Sequence, residues 1–237
     1  MGVRLTVIGS SPAWPNPGSA HSGYLLEAGG RLLLDCGPGV LARLRTDGLL
    51  PVDAIAITHF HLDHWGDLVP WVWLTSRGLG RSSKPALWLP PRGRSELGTF
   101  GTLWGLENMF ETAFDIAEYE PGAPFAAAGF EVEARPVNHY GMGAYGFRVR
   151  DQEGRVLAYS GDTGPCEELH RLAEGADLFL CEATLETGAE DTTPRGHLSA
   201  DEAVSIGAAR TLLTHRPAEL GTPSGAGRAV DGLTVQI

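Results

Sequence analysis

A chain of 237 residues is long enough for one sizeable α/β domain that buries roughly 70–75% of its unfolded surface, so folding needs no disulfide or metal staple. Charged residues make up 20% and hydrophobic ones 43%, with a mean hydropathy of −0.07, which excludes a disordered or membrane-spanning chain. The 29 acidic against 18 basic residues give a formal charge of −11, which opposes long-range attraction to nucleic acid or an anionic membrane; an anionic substrate has to be drawn by local charge.

Strands are expected over 4–8, 22–28, 31–35, 54–58, 86–89, 130–136, 145–149, 156–160, 178–182 and 211–214, where short Leu-rich or β-branched runs end in polar or Gly-rich turns. Helical patterns lie between some of them, over 39–46, 67–76, 165–174 and 199–209. Ser199 followed by Glu202 reads as a capping box opening the last helix. Gly29-Gly30 makes a tight hairpin, so the chain starts antiparallel. The pattern is mixed α/β, and strands apolar on both faces must be covered on both sides. Gly and Pro cluster over 9–22, 78–91 and 217–227, which read as loops inside a single unit spanning 1–237. Met1-Gly2 fits an acylation pattern, but the alternation from Val3 to Ile8 reads as a buried strand. The most apolar stretch, 68–74, is far below the ~18 residues of a membrane span and contains Pro70. Three scattered cysteines, Cys36, Cys166 and Cys181, form no CxxC, which favours a reducing, cytoplasmic setting over a secreted disulfide framework.

The segment Ile55-Ala56-Ile57-Thr58-His59-Phe60-His61-Leu62-Asp63-His64-Trp65-Gly66-Asp67 carries the chemistry. Chance produces His-x-His-x-Asp-His about 5 × 10⁻⁴ times in a chain of this composition. A strand running into a loop places His59 and His61 on one side, and the following turn brings Asp63 and His64 toward a second point nearby. A buried cluster of imidazoles and carboxylate leaves donors and acceptors competing unless a divalent metal satisfies them. Further ligands are then needed, and His139, Asp162 and His215 each stand at or just after an expected strand end. Taken singly, a histidine after a strand or a Gly-Asp turn is ordinary surface furniture; the neighbouring motif gives these three their meaning.

With Asp35 in Leu32-Leu33-Leu34-Asp35-Cys36-Gly37, this ordered set resembles the metallo-β-lactamase superfamily over nearly the whole chain. The resemblance implies a four-layer αββα sandwich with two divalent ions in a cleft at one sheet edge. It implies one ion held by His59, His61 and His139, a second by Asp63, His64 and His215, and Asp162 bridging both together with a hydroxide. Asp35 would orient a ligand by accepting its hydrogen bond, although a buried, turn-forming aspartate is an alternative reading. Zinc is the expected metal; His and Asp sites also accept manganese or iron.

The later segments Leu180-Cys181-Glu182-Ala183-Thr184, Gly196-His197-Leu198-Ser199-Ala200 and Leu213-Thr214-His215 are similar to those of ribonuclease Z-type phosphodiesterases. There the Glu182 equivalent orients the His197 equivalent, which protonates the leaving oxygen. A departing alkoxide needs an acid near neutrality, and a histidine held by a carboxylate supplies one; the plain alternative for His197 is a histidine beside a helix cap. Ribonuclease Z inserts a long tRNA-binding arm between the positions of His139 and Asp162, which here are 23 residues apart. The resemblance is therefore to the small, armless branch, which implies a compact phosphodiester or cyclic nucleotide as substrate rather than long nucleic acid, and a homodimer as the assembly.

Two ions, the Asp63 and Asp162 carboxylates and one hydroxide leave a local charge of about +1, enough to hold a phosphodiester in an acidic chain. The ions would generate hydroxide for attack at phosphorus, and Asp63 would help place it. A lactonase or a glyoxalase II-like thioesterase stays open, since these share the bridging aspartate and lack the Glu182 and His197 pair; a non-catalytic metal-binding protein is the third reading. His21 and Tyr140 could line the entrance, Trp65, Trp71, Trp73, Trp88 and Trp104 read as core before base-stacking platforms, and His170 reads as solvated.

Overall fold

The computed structural model describes residues 2–77 and 84–237, so part of the loop expected over 78–91 lies outside the described residues. In chain order the elements are β1 (Arg4–Gly9), β2 (Gly23–Glu27), β3 (Arg31–Leu34), α1 (Val40–Thr46), β4 (Ala54–Ala56), α2 (Leu62–Trp65), α3 (Leu68–Arg77), β5 (Ala86–Leu89), α4 (Gly93–Leu103) and β6 (Asp115–Glu118). The second half holds β7 (Pro124–Ala127), β8 (Phe130–His139), β9 (Met142–Arg150), β10 (Val156–Tyr159), α5 (Glu168–Ala173), β11 (Leu178–Glu182), α6 (Ala200–Ser205), β12 (Thr211–Thr214), β13 (Ala226–Arg228) and β14 (Thr234–Gln236).

Two mixed sheets form, in the orders β14-β1-β2-β3-β4-β5-β6 and β13-β12-β11-β10-β9-β8-β7. In the first, β3 to β6 run parallel, and in the second, β10 to β13 do. Period-two alternation assigns each strand residue to one of two apolar layers. Leu5, Val7, Tyr24, Leu26, Leu32 and Leu34 of the first sheet meet Val132, Phe147, Val149, Leu157, Tyr159 and Leu180 of the second between the sheets. The opposite faces carry Leu25, Leu33 and Ile55 under α1, α3 and α4, and Phe179, Cys181 and Leu213 under α5 and α6. The layering is helix, sheet, sheet, helix, the αββα sandwich that the resemblance implies.

Several boundaries differ from expectation for local reasons. The strand expected over 54–58 ends at Ala56, because the Thr58 N–H donates to the Asp35 carboxylate and leaves the ladder. The strand expected over 130–136 runs on to His139, paired with Met142 across a two-residue turn. The helix expected over 199–209 stops at Ser205, two residues before Gly207 turns left-handed at φ 82°, while its Ser199–Glu202 capping box is formed. Strands β6, β7, β13 and β14 were not expected: each has three or four residues and mostly exposed or half-buried positions, so no alternation marks it. Helix α4 was also missed, since Gly93, Gly98 and Gly101 lower its propensity by about 1 kcal/mol each. It forms because Leu97 is buried and Phe100 packs edge-on against Trp65.

Among the tryptophans, Trp65 and Trp71 are core and Trp88 packs on Phe125, but Trp73 and Trp104 are exposed, which corrects the core reading for those two. Helix α3, which holds the apolar stretch 68–74, is ten residues long, and no helix among the described residues is long and apolar enough to cross a membrane.

Phe147, fully buried between the sheets and edge-on to Tyr119, tests this core. Phe147→Ala is expected to cost about 3–5 kcal/mol in urea unfolding through lost burial and a residual cavity; a loss below ~1 kcal/mol would show that the inter-sheet layer is not closely packed.

Candidate metal centre

The parallel strands deliver the site. Their carboxyl ends lie at one edge of the sandwich, where the loops after β3, β4, β10 and β12 carry Asp35, His59 to His64, Asp162 and His215, and Glu182 ends β11. His139 arrives from the end of the antiparallel β8. After β4 the chain bends at Phe60, His61 precedes α2 in an extended conformation with φ −75° and ψ 139°, and the single turn of α2 then redirects Asp63 and His64. Gly37 permits this crowding: a Cβ there would lie 2.0 Å from the Asp63 carbonyl oxygen.

All seven residues singled out as ligands come together. His59, His61, His139 and Asp162 form one group and Asp63, His64, Asp162 and His215 a second, with candidate ligand atoms in each within 4.8 Å of one another. Asp162 belongs to both: its Oδ2 is 3.2 Å from His64 Nε2, 3.4 Å from His215 Nε2 and 3.9 Å from His59 Nε2.

The hydrogen bonds behind the cluster fix which nitrogen faces inward. His64 Nδ1 donates to Asp35 Oδ2 at 2.7 Å, and His139 Nδ1 to the Gly196 carbonyl at 2.7 Å. Thr58 and Thr184 give their hydroxyl protons to Asp35 and Glu182, and so accept from His59 Nδ1 at 3.0 Å and His215 Nδ1 at 2.8 Å. The Nε2 atoms of all four therefore face the cluster; His64, whose charged form Asp162 and Asp35 favour despite burial, would give up its Nε2 proton to bind an ion. Asp35 also accepts the Thr58 N–H and the Tyr159 hydroxyl, so both readings of this residue apply: it supports a turn, at φ 56°, and it orients a histidine.

This donor set fits divalent cations. His59 Nε2, His64 Nε2 and Asp162 Oδ1 are buried without a hydrogen-bond partner, a costly arrangement that a cation removes. His139 Nε2 and His61 Nδ1 face each other at 2.9 Å, and a cation takes both lone pairs. Burial, together with nearby His64, pushes His59 well below the usual histidine value, and burial also lowers His61 and His139, so these three are neutral ligands. Despite burial, His215 and His64 hold the Asp63 and Asp162 carboxyls far below the ordinary range, ready as anionic ligands.

Beside the two groups stands His197, mostly buried, with its ring 5.0 Å from that of His139 and stacked 5.6 Å from that of His215. Its Nδ1 lies 2.8 Å from Glu182 Oε1, and Glu182 is further held by the Thr163 and Thr184 N–H groups. Burial opposes charge on His197, but Glu182, with Asp162 and Asp191 beyond it, raises its pKa to about 9. Its backbone is pinned as well, the N–H by Asp191 and the carbonyl by Arg195, which grips Glu202.

His21 is nearby: its Nδ1 donates to the Pro12 carbonyl, and its charge environment includes Asp63, His64 and His215. Tyr140 contacts both His139 and His197, whereas His170 is exposed on α5. Sequence reasoning missed Thr58 and Thr184, although each lies beside or within a quoted motif.

The beta-lactamase superfamily domain profile matches residues 30–216. The probable metallo-hydrolase YhfI of Bacillus subtilis is 30% identical over 226 residues, covering 91% of this chain and 87% of its own, and its crystal structure superposes over 100% of both chains with a TM-score of 0.84. The uncharacterised protein Rv1339 of Mycobacterium tuberculosis is 36% identical over 223 residues, covering 91% of this chain and 81% of its own. A ribonuclease Z of Mycolicibacterium paratuberculosis is 30% identical over 197 residues, covering 75% and 69%. The chain belongs to the beta-lactamase superfamily, among metallo-hydrolases related to ribonuclease Z. The 22 residues between His139 and Asp162 are taken up by β9, β10 and their turns, with no inserted arm.

Asp35→Asn is expected to weaken divalent-metal affinity 10–100-fold by disturbing the His64 tautomer, measured by competition with a chromophoric chelator; unchanged affinity would leave Asp35 with a turn-forming role only. The Arg195 hydrogen bonds pull the Glu202 carboxyl down to about 2, below its unfolded value near ~4.3. That contribution is therefore complete above about pH 4.5 and is lost as pH falls toward 2. The melting-temperature deficit of Glu202→Gln should shrink over that interval, and a constant deficit would assign the effect to packing.

Proposed function

We propose that this chain is a binuclear phosphodiesterase, with zinc in both groups, that hydrolyses a small phosphodiester such as a cyclic nucleotide. The observation that carries the reading is the Glu182–His197 pair: Nδ1 is engaged with the carboxylate at 2.8 Å and the ring lies against both metal-ligand groups. A proton donor in that place is what an alkoxide leaving from phosphorus requires, whereas a thiolate departs without one. The kinship to ribonuclease Z supports the same class of bond.

Two divalent ions held by the seven ligands would supply a hydroxide nucleophile at neutral pH and offset charge building on the phosphoryl oxygens. Asp63, kept ionised by His215 and His64, accepts a hydrogen bond from the attacking water and sets its direction. His197 gives its Nε2 proton to the departing oxygen as the P–O bond breaks, and Glu182 stabilises its protonated form until then. Asp162, shared between the groups, keeps them at a fixed separation. The formal charge of −11 discourages long polyanions, while the cluster's own excess charge holds a single phosphodiester.

The test is a side-by-side assay of 2′,3′- and 3′,5′-cyclic nucleotides, bis(p-nitrophenyl) phosphate, a homoserine lactone and an S-acyl glutathione, with elemental analysis of the bound metal. Cyclic nucleotide turnover should dominate, and His197→Ala should lower it about 10²-fold or more with metal content unchanged. Preferred turnover of the lactone or thioester, with His197→Ala indifferent, would replace this reading by a carboxylic-ester or thioester hydrolase.

A further inference from the structure

Tyr140 and Asp191 take no part in the reaction just described, yet they close over the residue that protonates the leaving group. Tyr140 is the first of the two residues that turn β8 into β9, at φ 48° with Gly141 at φ 76°, the doubly positive pattern of a tight hairpin usually given to Asn-Gly. A tyrosine is strained there, so the surrounding contacts must hold it. Its ring lies over Gly196, where a Cβ would be 2.3 Å from the ring, and 4.9 Å and 5.5 Å from the rings of His139 and His197. Its hydroxyl donates to Asp191 Oδ1 at 2.9 Å. Asp191 Oδ2 in turn accepts the backbone N–H groups of Gly196 at 2.8 Å and His197 at 3.0 Å. The circuit closes through the Gly196 carbonyl, which takes the Nδ1 proton of His139.

We infer that Asp191 is a positioning residue for His197 and that Tyr140 is the strut that holds Asp191 in place, so that the proton donor is set by a clamp between the β8–β9 hairpin and the loop from 185 to 199. This rests on the phosphodiesterase reading. The Glu182 contact fixes one nitrogen of the imidazole, and the loop bearing it is tied to the sandwich by the Leu185–Ser199 bridge, the Gly196 carbonyl on His139, the buried Leu198 and Arg195, but none of these holds the His197 N–H, which leaves that end of the residue free to turn. Anchoring the His197 N–H removes that freedom and keeps the ring within proton-transfer reach of a leaving oxygen. Arg195, itself held by Glu202, donates to the carbonyl on the other side of the same residue. Tyr140 is 42% exposed, so the clamp sits at the solvent rim of the cleft.

The test compares the metal-loaded wild type with Tyr140→Phe, Asp191→Asn and His197→Ala on two diesters. A 3′,5′-cyclic nucleotide expels an alkoxide that needs a proton, and bis(p-nitrophenyl) phosphate expels a stabilised phenolate that does not. Tyr140→Phe and Asp191→Asn should lower kcat about tenfold on the cyclic nucleotide and less than about twofold on the nitrophenyl diester, with KM nearly constant. Backbone amide exchange of 196 and 197 should be faster in both variants, a readout independent of turnover. Equal loss on both substrates, or no loss, overturns the clamp. If His197→Ala shows the leaving-group effect and the other two do not, the clamp alone fails; if His197→Ala lacks it, the assigned acid fails and the clamp with it. Should Asp191→Asn not fold, Tyr140→Phe decides, since it keeps the ring and removes only the hydroxyl.

Discussion

The structure turns on the direction of four imidazole lone pairs. A neutral histidine offers one nitrogen to a metal while the other keeps its proton and donates it in a hydrogen bond that orients the ring, and here each of His59, His64, His139 and His215 has an acceptor behind it: Thr58, Asp35, the Gly196 carbonyl and Thr184. Of these acceptors, Asp35 is tied to the inter-sheet core through the Tyr159 hydroxyl, and Thr214, next to His215 in the chain, is tied to it through the Tyr24 hydroxyl. The apolar layer and the polar cluster are thus mechanically one object. Without that backing, the inward-facing nitrogens could rotate or change tautomer, and the two groups would lose their shape.

Backbone strain is concentrated at the same place. Of the five non-glycine residues with positive φ among those described, Asp35, His215 and Tyr140 are in or beside the site. Each such residue costs of order 1–3 kcal/mol, and the parallel strands on which Asp35 and His215 end are buried on both faces, which gives the rigidity to hold them. A sandwich that brings the carboxyl ends of two parallel strand sets to one edge gathers ligands from remote stretches of chain with short loops. Asp63 and His215, 152 positions apart in sequence, approach to 3.1 Å.

His197 is held differently. The seven ligands sit on strand ends or on a helical turn packed against them, while His197 rides on a longer loop whose position is set by polar contacts from Glu182, Asp191 and Arg195. On the phosphodiesterase reading the proton donor therefore rides on a loop held by polar contacts, while the candidate metal ligands stand on strand ends.

The sequence by itself pointed to the candidate chemistry and set most of the frame. His59, His61, Asp63 and His64 are legible because ligands closer than six residues apart keep their spacing whatever the tertiary fold, and the strongly apolar strands are legible because burial on both faces leaves an unbroken run. Strands β6, β7, β13 and β14 and the glycine-bearing α4 were not, since their stability is borrowed from neighbours rather than written in their own residues. Only the tertiary structure decided that His139, Asp162 and His215 reach the motif, that Thr58 and Thr184 choose the tautomers, and that Tyr140 reaches Asp191 across 51 residues of chain. Thr58, Thr184, Tyr140 and Asp191 join distant segments through side-chain types common everywhere in proteins, so residue identity alone does not say that they meet, whereas His139, Asp162 and His215 were already marked by their strand-end positions and the family resemblance.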